Sequence, residues 1–255
     1  MKTSSIKSRR LIFISLLILV GIWMLLSNLI DNNIYLPKIN EVINELNTIV
    51  FNSSLVKDVV SSIFRGLESL IISLLLALLL GVASSFNKYI YNFIFPLIVI
   101  LKSIPNIAFI LIALIWVNKD YAPLLIGIVV SFPIFYEVVQ NSILNIEENL
   151  LEMIEAFKIG FKDTLLNIHI PNIFFNIQNI ISSTFSLILK IVIAGEVYGQ
   201  PKFGIGTSIQ GEKMNFNTAG IFAWIIIVAL LCFLIDKVIL YIGEQLIKGR
   251  REFID

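Results

Sequence analysis

Few side chains in this sequence are equipped for covalent chemistry. It holds one histidine, His169, and one cysteine, Cys232. A lone histidine cannot build a His-rich metal site, and a lone cysteine excludes both a disulfide framework and a Cys-based zinc site. The nearest approach to a phosphate-binding loop is Gly206-Thr-Ser-Ile-Gln-Gly211-Glu-Lys213. Its lysine is displaced by one and no Ser or Thr follows, whereas a cradle needs Gly, Lys and Ser/Thr at fixed offsets. No His-Glu-x-x-His or Gly-x-Ser-x-Gly occurs. No catalytic residue and no metal ligand can be named. What remains is ionisable groups in apolar surroundings (Lys102, Glu137, Lys190 and Glu196) and one patterned stretch. In that stretch Ile146, Leu150, Ile154, Phe157, Phe161, Leu165 and Ile168 recur at steps of 4, 4, 3, 4, 4 and 3. This is one apolar stripe on a helix or helix pair. Glu147, Glu148, Glu152 and Glu155 line the opposite face of its first half.

The elements that hold these groups follow from composition. The 255 residues are 57% apolar and 15% charged, with net charge +1. Soluble domains carry about 25% charged residues, so the surplus excludes a disordered chain, a nucleic-acid-binding domain and a standard soluble enzyme. A membrane span needs about 20 apolar residues. Six segments meet or approach this: Leu11–Ile30, Ser69–Phe86, Ile90–Val117, Ala122–Val139, Ile173–Val197 and Ile221–Ile242. The first has a basic start but is too long for a signal-peptide core and lacks a clear small-x-small cleavage site, so it reads as a retained span. The third holds Pro96 and Pro105 and is expected to be one kinked helix, its freed backbone groups met by neighbouring helices.

Lys and Arg set the orientation. With the N-terminus inside, the inner parts carry Lys2, Lys7, Arg9, Arg10, Lys88, Lys158, Lys162, Lys248, Arg250 and Arg251. The outer parts carry Lys38, Lys57, Lys119, Lys202 and Lys213. Both termini are therefore expected in the cytoplasm, which six spans allow. The chain divides into 1–66 (first span and external amphipathic segment), 67–247 (transmembrane core with the cytoplasmic loop 140–171) and a 248–255 cytoplasmic tail. Within the external segment, Ile39, Val42, Ile43, Leu46 and Val50 predict a short amphipathic helix at the membrane surface. Gly160 offers a break in the cytoplasmic loop, and Pro171 is expected to start the next helix.

The stretch from Leu150 to Pro171 resembles the signature loop of permease subunits of binding-protein-dependent ABC importers. That loop runs Glu-Ala-Ala, three residues, Gly, nine residues, Ile-x-Leu-Pro. Counting back from Pro171 sets Ile168 on the Ile, Ile170 on the Leu, Glu152 on the Glu, and Met153 and Ile154 on the alanines. Lys158 falls on the Gly, a departure. Glu155-Ala156 stands three residues too close to Pro171, and Gly160 two. Other pieces fit the nitrate/sulfonate/taurine branch in order: Leu36-Pro37, Ser61 to Gly66, Ile104-Pro105-Asn-Ile-Ala108, Ala194-Gly-Glu196-Val, Gly204-Ile-Gly206 and Leu234-Ile-Asp236.

The resemblance implies an all-α polytopic protein with six transmembrane helices and the type I importer permease (MetI-like) fold, in a bacterial plasma membrane. It implies no catalysis in this chain. ATP and magnesium would be held by two partner ATPases, an external binding protein would deliver cargo, and a second permease copy would complete the pore. The implied coupling residues are Leu150, Glu152, Met153, Ala156, Phe157, Gly160, Ile168 and Pro171. A bland alternative, an interfacial helix on lipid, conflicts with the acidic face, because such helices are Lys/Arg-rich. Cargo is expected to be a nitrate-, sulfonate- or taurine-like anion, with a thiamine-precursor pyrimidine as the alternative. A secondary transporter is a remoter one, and it would require inverted repeats that are not visible.

Lys102, Lys190 and Glu196 are the candidate path residues. Charges inside spans are costly and face a cavity or a partner. Lys102 or Lys190 therefore either lines the path or forms a structural pair or snorkels. Arg65 and Glu68, three apart, are expected to pair locally. His169, Cys232 and the tryptophans Trp23, Trp116 and Trp224 read as packing or interfacial residues, and Gly204 and Gly206 as tight backbone positions.

Overall fold

A computed structural model of the chain describes residues 5–251. Lys2 and the end of the 248–255 tail lie outside the described residues, as do the side chains of Lys7, Arg9, Arg10, Lys248, Arg250 and Arg251. The described residues are helical with no strand. In order they form α1 (Ser5–Ile30), α2 (Ile39–Val50), α3 (Ser54–Phe86), α4 (Lys88–Ser103), α5 (Asn106–Trp116), α6 (Ala122–Leu144), α7 (Glu148–Ala156), α8 (Phe161–Thr164), a π turn (Leu165–His169), α9 (Ile170–Gly199), α10 (Ile205–Met214) and α11 (Thr218–Arg251).

Among these, five helical stretches are long and apolar enough to cross a membrane, and the α4–α5 pair makes a sixth if counted as one span. That pair departs from the expected kink. It bends by 105°. The break sits at Pro105, which forces Ile104 into an extended conformation (φ −77°, ψ 130°) and ends α4. Pro96 remains inside α4 without breaking it. Asn87 starts that helix by accepting the N–H groups of Tyr89 and Ile90 (2.9 and 3.4 Å).

Two further boundaries differ from expectation. The segment expected to enter the membrane at Ser69 belongs to a helix that already begins at Ser54, so the end of the 31–66 connection is helical. Pro171 stands in the first turn of α9, as expected, but no break precedes it. The helical path runs from Phe161 to Gly199 and Pro171 lies within it. Proline lacks an N–H, and the ladder accommodates this with a wider turn, in which the Ile170 N–H reaches back five residues to the Leu165 carbonyl.

The chain forms two compact units. The smaller runs to Leu55 and takes in Ile209–Val228. In it the Trp23 indole N–H donates to the Pro37 carbonyl (3.0 Å), its ring packs tilted against Phe222 (5.2 Å between centroids), and the Thr218 hydroxyl donates to the Ile34 carbonyl (2.7 Å). The stripe predicted on α2 is in part turned inward: Val42 is buried with Ile49, while Ile43 and Val50 stay exposed.

The larger unit, Val56–Ser208 with the chain beyond Ala229, is built on α3, α6 and α9. Apolar burial drives little association between helices already in lipid, so close packing of small residues carries it. Along α3 the buried residues Ser62, Gly66, Ser69, Ser73, Ala77, Gly81 and Ser84 form such a face. Where α9 meets α6, a Cβ on Gly195 would lie 3.0 Å from Ile126 Cδ1 and 3.1 Å from Pro123 Cα, so only glycine permits that approach. Phe132, Phe135, Tyr136, Phe185 and Ile188 fill the core between these helices.

Candidate functional site

Three constellations in the larger unit bear on function. The first is the 146–171 segment. α7 is a nine-residue helix. Leu150, Met153 and Phe157 project from it or its C-cap and are exposed, Phe157 by 77%. Glu152, Ala156 and Gly160 are exposed as well. Ile168 and Pro171 sit apart from these, half-buried in the long helical rod. The rod's start is fixed by aromatic edges: Phe86 meets the ring of Phe161 at 5.1 Å and that of His169 at 5.5 Å. The packing role expected for His169 is therefore the observed one.

The turn after α7 bears on the register. Lys158 adopts a left-handed conformation (φ 49°), whereas Gly160 is extended (φ −65°). The position aligned with glycine in the signature is thus the one whose backbone favours glycine. A side chain held there costs roughly 1–2 kcal/mol. Lys158→Gly is expected to stabilise the protein by up to about 1 kcal/mol, seen as a higher midpoint of thermal unfolding in detergent. A lower midpoint would contradict the assigned turn.

Beside this segment, α6 and α9 enclose a cleft of about 810 Å³. Its lining is rich in neutral amides, among them Asn141, Asn145, Asn167, Asn172, Asn176 and Asn179. Asn172 and Asn176 are held by Ser142, donating to its carbonyl (2.7 Å) and its hydroxyl (2.9 Å). None of these asparagines stands out among the candidate residues of the sequence. The signal for the cleft is the spacing of Asn172, Asn176 and Asn179, which places three amides on one helical face.

The second constellation is Lys102 and Glu137. Lys102 Nζ lies 2.6 Å from Glu137 Oε1. The structural-pair alternative for Lys102 is therefore the geometry found. Both side chains nevertheless stay about half exposed, at 52% and 42%. Lys190 is exposed on α9 and makes no ion pair among the described residues.

The third is a buried polar knot, and it corrects two expectations. Glu196 is fully buried and reaches no open surface of the chain. Its carboxylate accepts from Arg65 Nη1 (2.7 Å), from the Ser62 hydroxyl (2.7 and 2.9 Å) and from the Gly206 N–H (3.0 Å). Arg65 therefore pairs with Glu196 across the fold and not with Glu68 on its own helix. Burial decides between the two: a desolvated carboxylate requires a countercharge. Arg65 also donates to the carbonyls of Phe203 (2.9 Å) and Asp120 (3.2 Å). Asp58 accepts the Gly204 N–H (3.2 Å) and the Ser208 hydroxyl (2.9 Å). The start of α3, the α5–α6 turn, the end of α9 and the 200–208 loop are thus tied into one cluster. A Cβ on Gly204 would lie 2.7 Å from the Glu196 carboxylate, so the loop approaches as a bare backbone. The tight-geometry reading of Gly204 holds on that ground.

Comparison with known proteins places these features. The family model described as binding-protein-dependent transport system inner membrane component matches residues 70–247. A Bacillus subtilis (strain 168) protein, provisionally named aliphatic sulfonates transport permease protein SsuC, is 21% identical over 239 residues, 92% of this chain and 86% of that relative. A Methanocaldococcus jannaschii protein provisionally named ABC transporter permease protein is 25% identical over 239 residues, covering 91% and 89%. Among solved structures, a chain from the inward-facing MetNI methionine ABC transporter in its CY5 native crystal form matches with a TM-score of 0.64. It is 16% identical and covers 77% of this chain and 95% of its own. At that identity the likeness establishes the fold.

Proposed function

Because the chain belongs to the family of binding-protein-dependent transport system inner membrane components, we propose that it forms the translocation path of an ATP-driven importer and receives its motive force through α7. The chain is a multi-pass membrane transport subunit and not an enzyme; the ATPase is a separate subunit. Partnership with an ABC ATPase and a substrate-binding protein follows from the family. In our reading two ATPases hold ATP and magnesium, and a second copy of this chain completes the pore. Both termini and the 146–171 segment face the cytoplasm of a bacterial cell, as the Lys/Arg distribution favours. The cargo is a small sulfonate- or oxyanion-bearing solute, a reading supported by the name of the Bacillus relative.

One observation carries the proposal. Leu150, Met153 and Phe157 form an exposed apolar face on a short helix whose other side is acidic. An amphipathic helix of this kind seats its apolar residues in a partner's groove. Tagged chain, solubilised in mild detergent, is expected to co-purify with the ATPase encoded by a neighbouring reading frame. Met153→Asp should abolish that association while the permease stays monodisperse. Wild-type permease that purifies without any ATPase would refute the reading.

A further inference from the structure

The buried knot around Glu196 fixes a surface as well as a core. Arg65 spans two loops, donating through Nη1 to the Phe203 carbonyl (2.9 Å) and through Nε to the Asp120 carbonyl (3.2 Å). The Asp120 carboxylate in turn accepts the Lys202 N–H (3.2 Å). Three exposed lysines, Lys57, Lys119 and Lys202, stand on this scaffold. Lys57 and Lys202 converge on one ring, their Nζ atoms 5.7 and 5.4 Å from the Phe203 centroid. Lys119 adjoins Gly199 at the same end of α9, where a Cβ on the glycine would lie 3.4 Å from the lysine's carbonyl oxygen. None of the three makes an ion pair among the described residues, whereas Lys38 in the smaller unit is paired with Asp31 (3.0 Å). The carboxylates of this end are already engaged: Asp58 and Glu196 are buried on the partners given above, and Asp120 is half-buried against the Lys202 backbone.

A cation resting over a ring keeps its ammonium donors for a second partner. Like charges gathered on one ring repel each other, so the patch gains most from an acidic partner. Its backbone is already locked, which lowers the ordering cost of a contact with a rigid body. Position narrows the partner further. The patch caps the Gly199 end of the long helical rod, and the turn after α7 adjoins the other end. With α7 seated on the ATPase, the patch faces outward, where the family's soluble partner is the substrate-binding protein. We propose that Lys57, Lys119 and Lys202, set around Phe203, form a docking surface for an acidic patch on that external binding protein. The inference rests on the transport reading above and adds where the soluble partner lands. Exposed rim charges act mainly on encounter, so the surface steers association more than it holds the complex.

Binding kinetics test this. The complete transporter is reconstituted in nanodiscs and immobilised, and the binding protein encoded by a neighbouring reading frame is passed over it at salt concentrations from about 50 to 500 mM. For the wild type, kon should fall steeply as salt rises. Changing Lys57, Lys119 and Lys202 together to Gln should lower kon at low salt on the order of tenfold and flatten its salt dependence, with koff nearly unchanged. Lys202→Glu alone should lower kon more than Lys202→Gln. The same losses are expected in nanodiscs of phosphatidylcholine alone and in nanodiscs containing phosphatidylglycerol. A variant effect seen only with phosphatidylglycerol would assign the lysines to anionic lipid and overturn the proposal. An unchanged kon in the triple variant, or wild-type association insensitive to salt, would overturn it as well. Failure of the transport reading would appear separately, as loss of ATPase co-purification, which the three substitutions should leave intact.

Discussion

Glu196→Ala is expected to destabilise the permease by about 3–5 kcal/mol, because it leaves the Arg65 guanidinium largely buried without its countercharge. Whole domains are stable by only about 5–15 kcal/mol, so the variant should reach the membrane at a small fraction of wild-type abundance. The loss has two parts. One is the stranded cation, whose side chain is only 14% exposed. The other is the freed Gly206 N–H and Ser62 hydroxyl, both buried. A series separates them. Glu196→Gln keeps an acceptor for Ser62 and Gly206 but not the charge, and should fall between wild type and Glu196→Ala. Arg65→Leu combined with Glu196→Leu removes both charges and should recover part of the loss, since apolar replacement of a buried pair is often tolerated. It should not recover all of it, because the Phe203 and Asp120 carbonyls lose their donor. Thermal unfolding of detergent-purified protein reads the series. A double variant no better than Glu196→Ala would show that the ion pair is not the main contribution.

The second large effect is expected at α7. Proline at Glu152 falls in the middle of a nine-residue helix and costs about 3 kcal/mol locally. A helix that short has no reserve and should unwind. The spans contain none of its residues, so membrane insertion should be unchanged. On the proposed reading, ATP hydrolysis by the partner persists while uptake falls by an order of magnitude or more. Charge reversal within the same turn, such as Glu152→Lys, should act in the same direction but less strongly, since the helix survives. The measurement is the ratio of ATP hydrolysed to solute accumulated in proteoliposomes. An unchanged ratio in the proline variant would dissociate α7 from energy coupling.

These two sites differ in how far the sequence exposes them. α7 is readable because its signals are local: an apolar stripe at helical spacing, an acidic face, and a count back from Pro171. That register extends to Lys158, where the backbone turns left-handed. The polar knot is opaque because its partners are remote. Arg65 and Glu196 are 131 residues apart, and the only nearby rule, pairing three residues apart on one helix, pointed to Glu68. Proline was read correctly as a disturbance but not in its consequence. Pro96 stays in its helix, Pro105 breaks one by 105°, and Pro171 widens a single turn. Which of these occurs depends on how neighbours meet the freed carbonyl, and that is a property of packing. The amides of the cleft were legible in principle, but uncharged side chains on an apolar helix attract less notice than lysines do.

The unbroken helical path from Phe161 to Gly199 has a mechanical consequence. At 1.5 Å per residue it is a boom of roughly 55–60 Å. One end is riveted by the Glu196 carboxylate to Arg65, Ser62 and the loop backbone. The other adjoins the turn that follows α7. A boom fixed at one end moves in proportion to distance from the rivet. A tilt of about 5° would shift the Phe161 end by on the order of 5 Å and the Glu196 end hardly at all. The asparagine cleft lies along the free half, between this boom and α6. It would widen or narrow in step with any load applied at α7, while the riveted end kept its shape for whatever docks there.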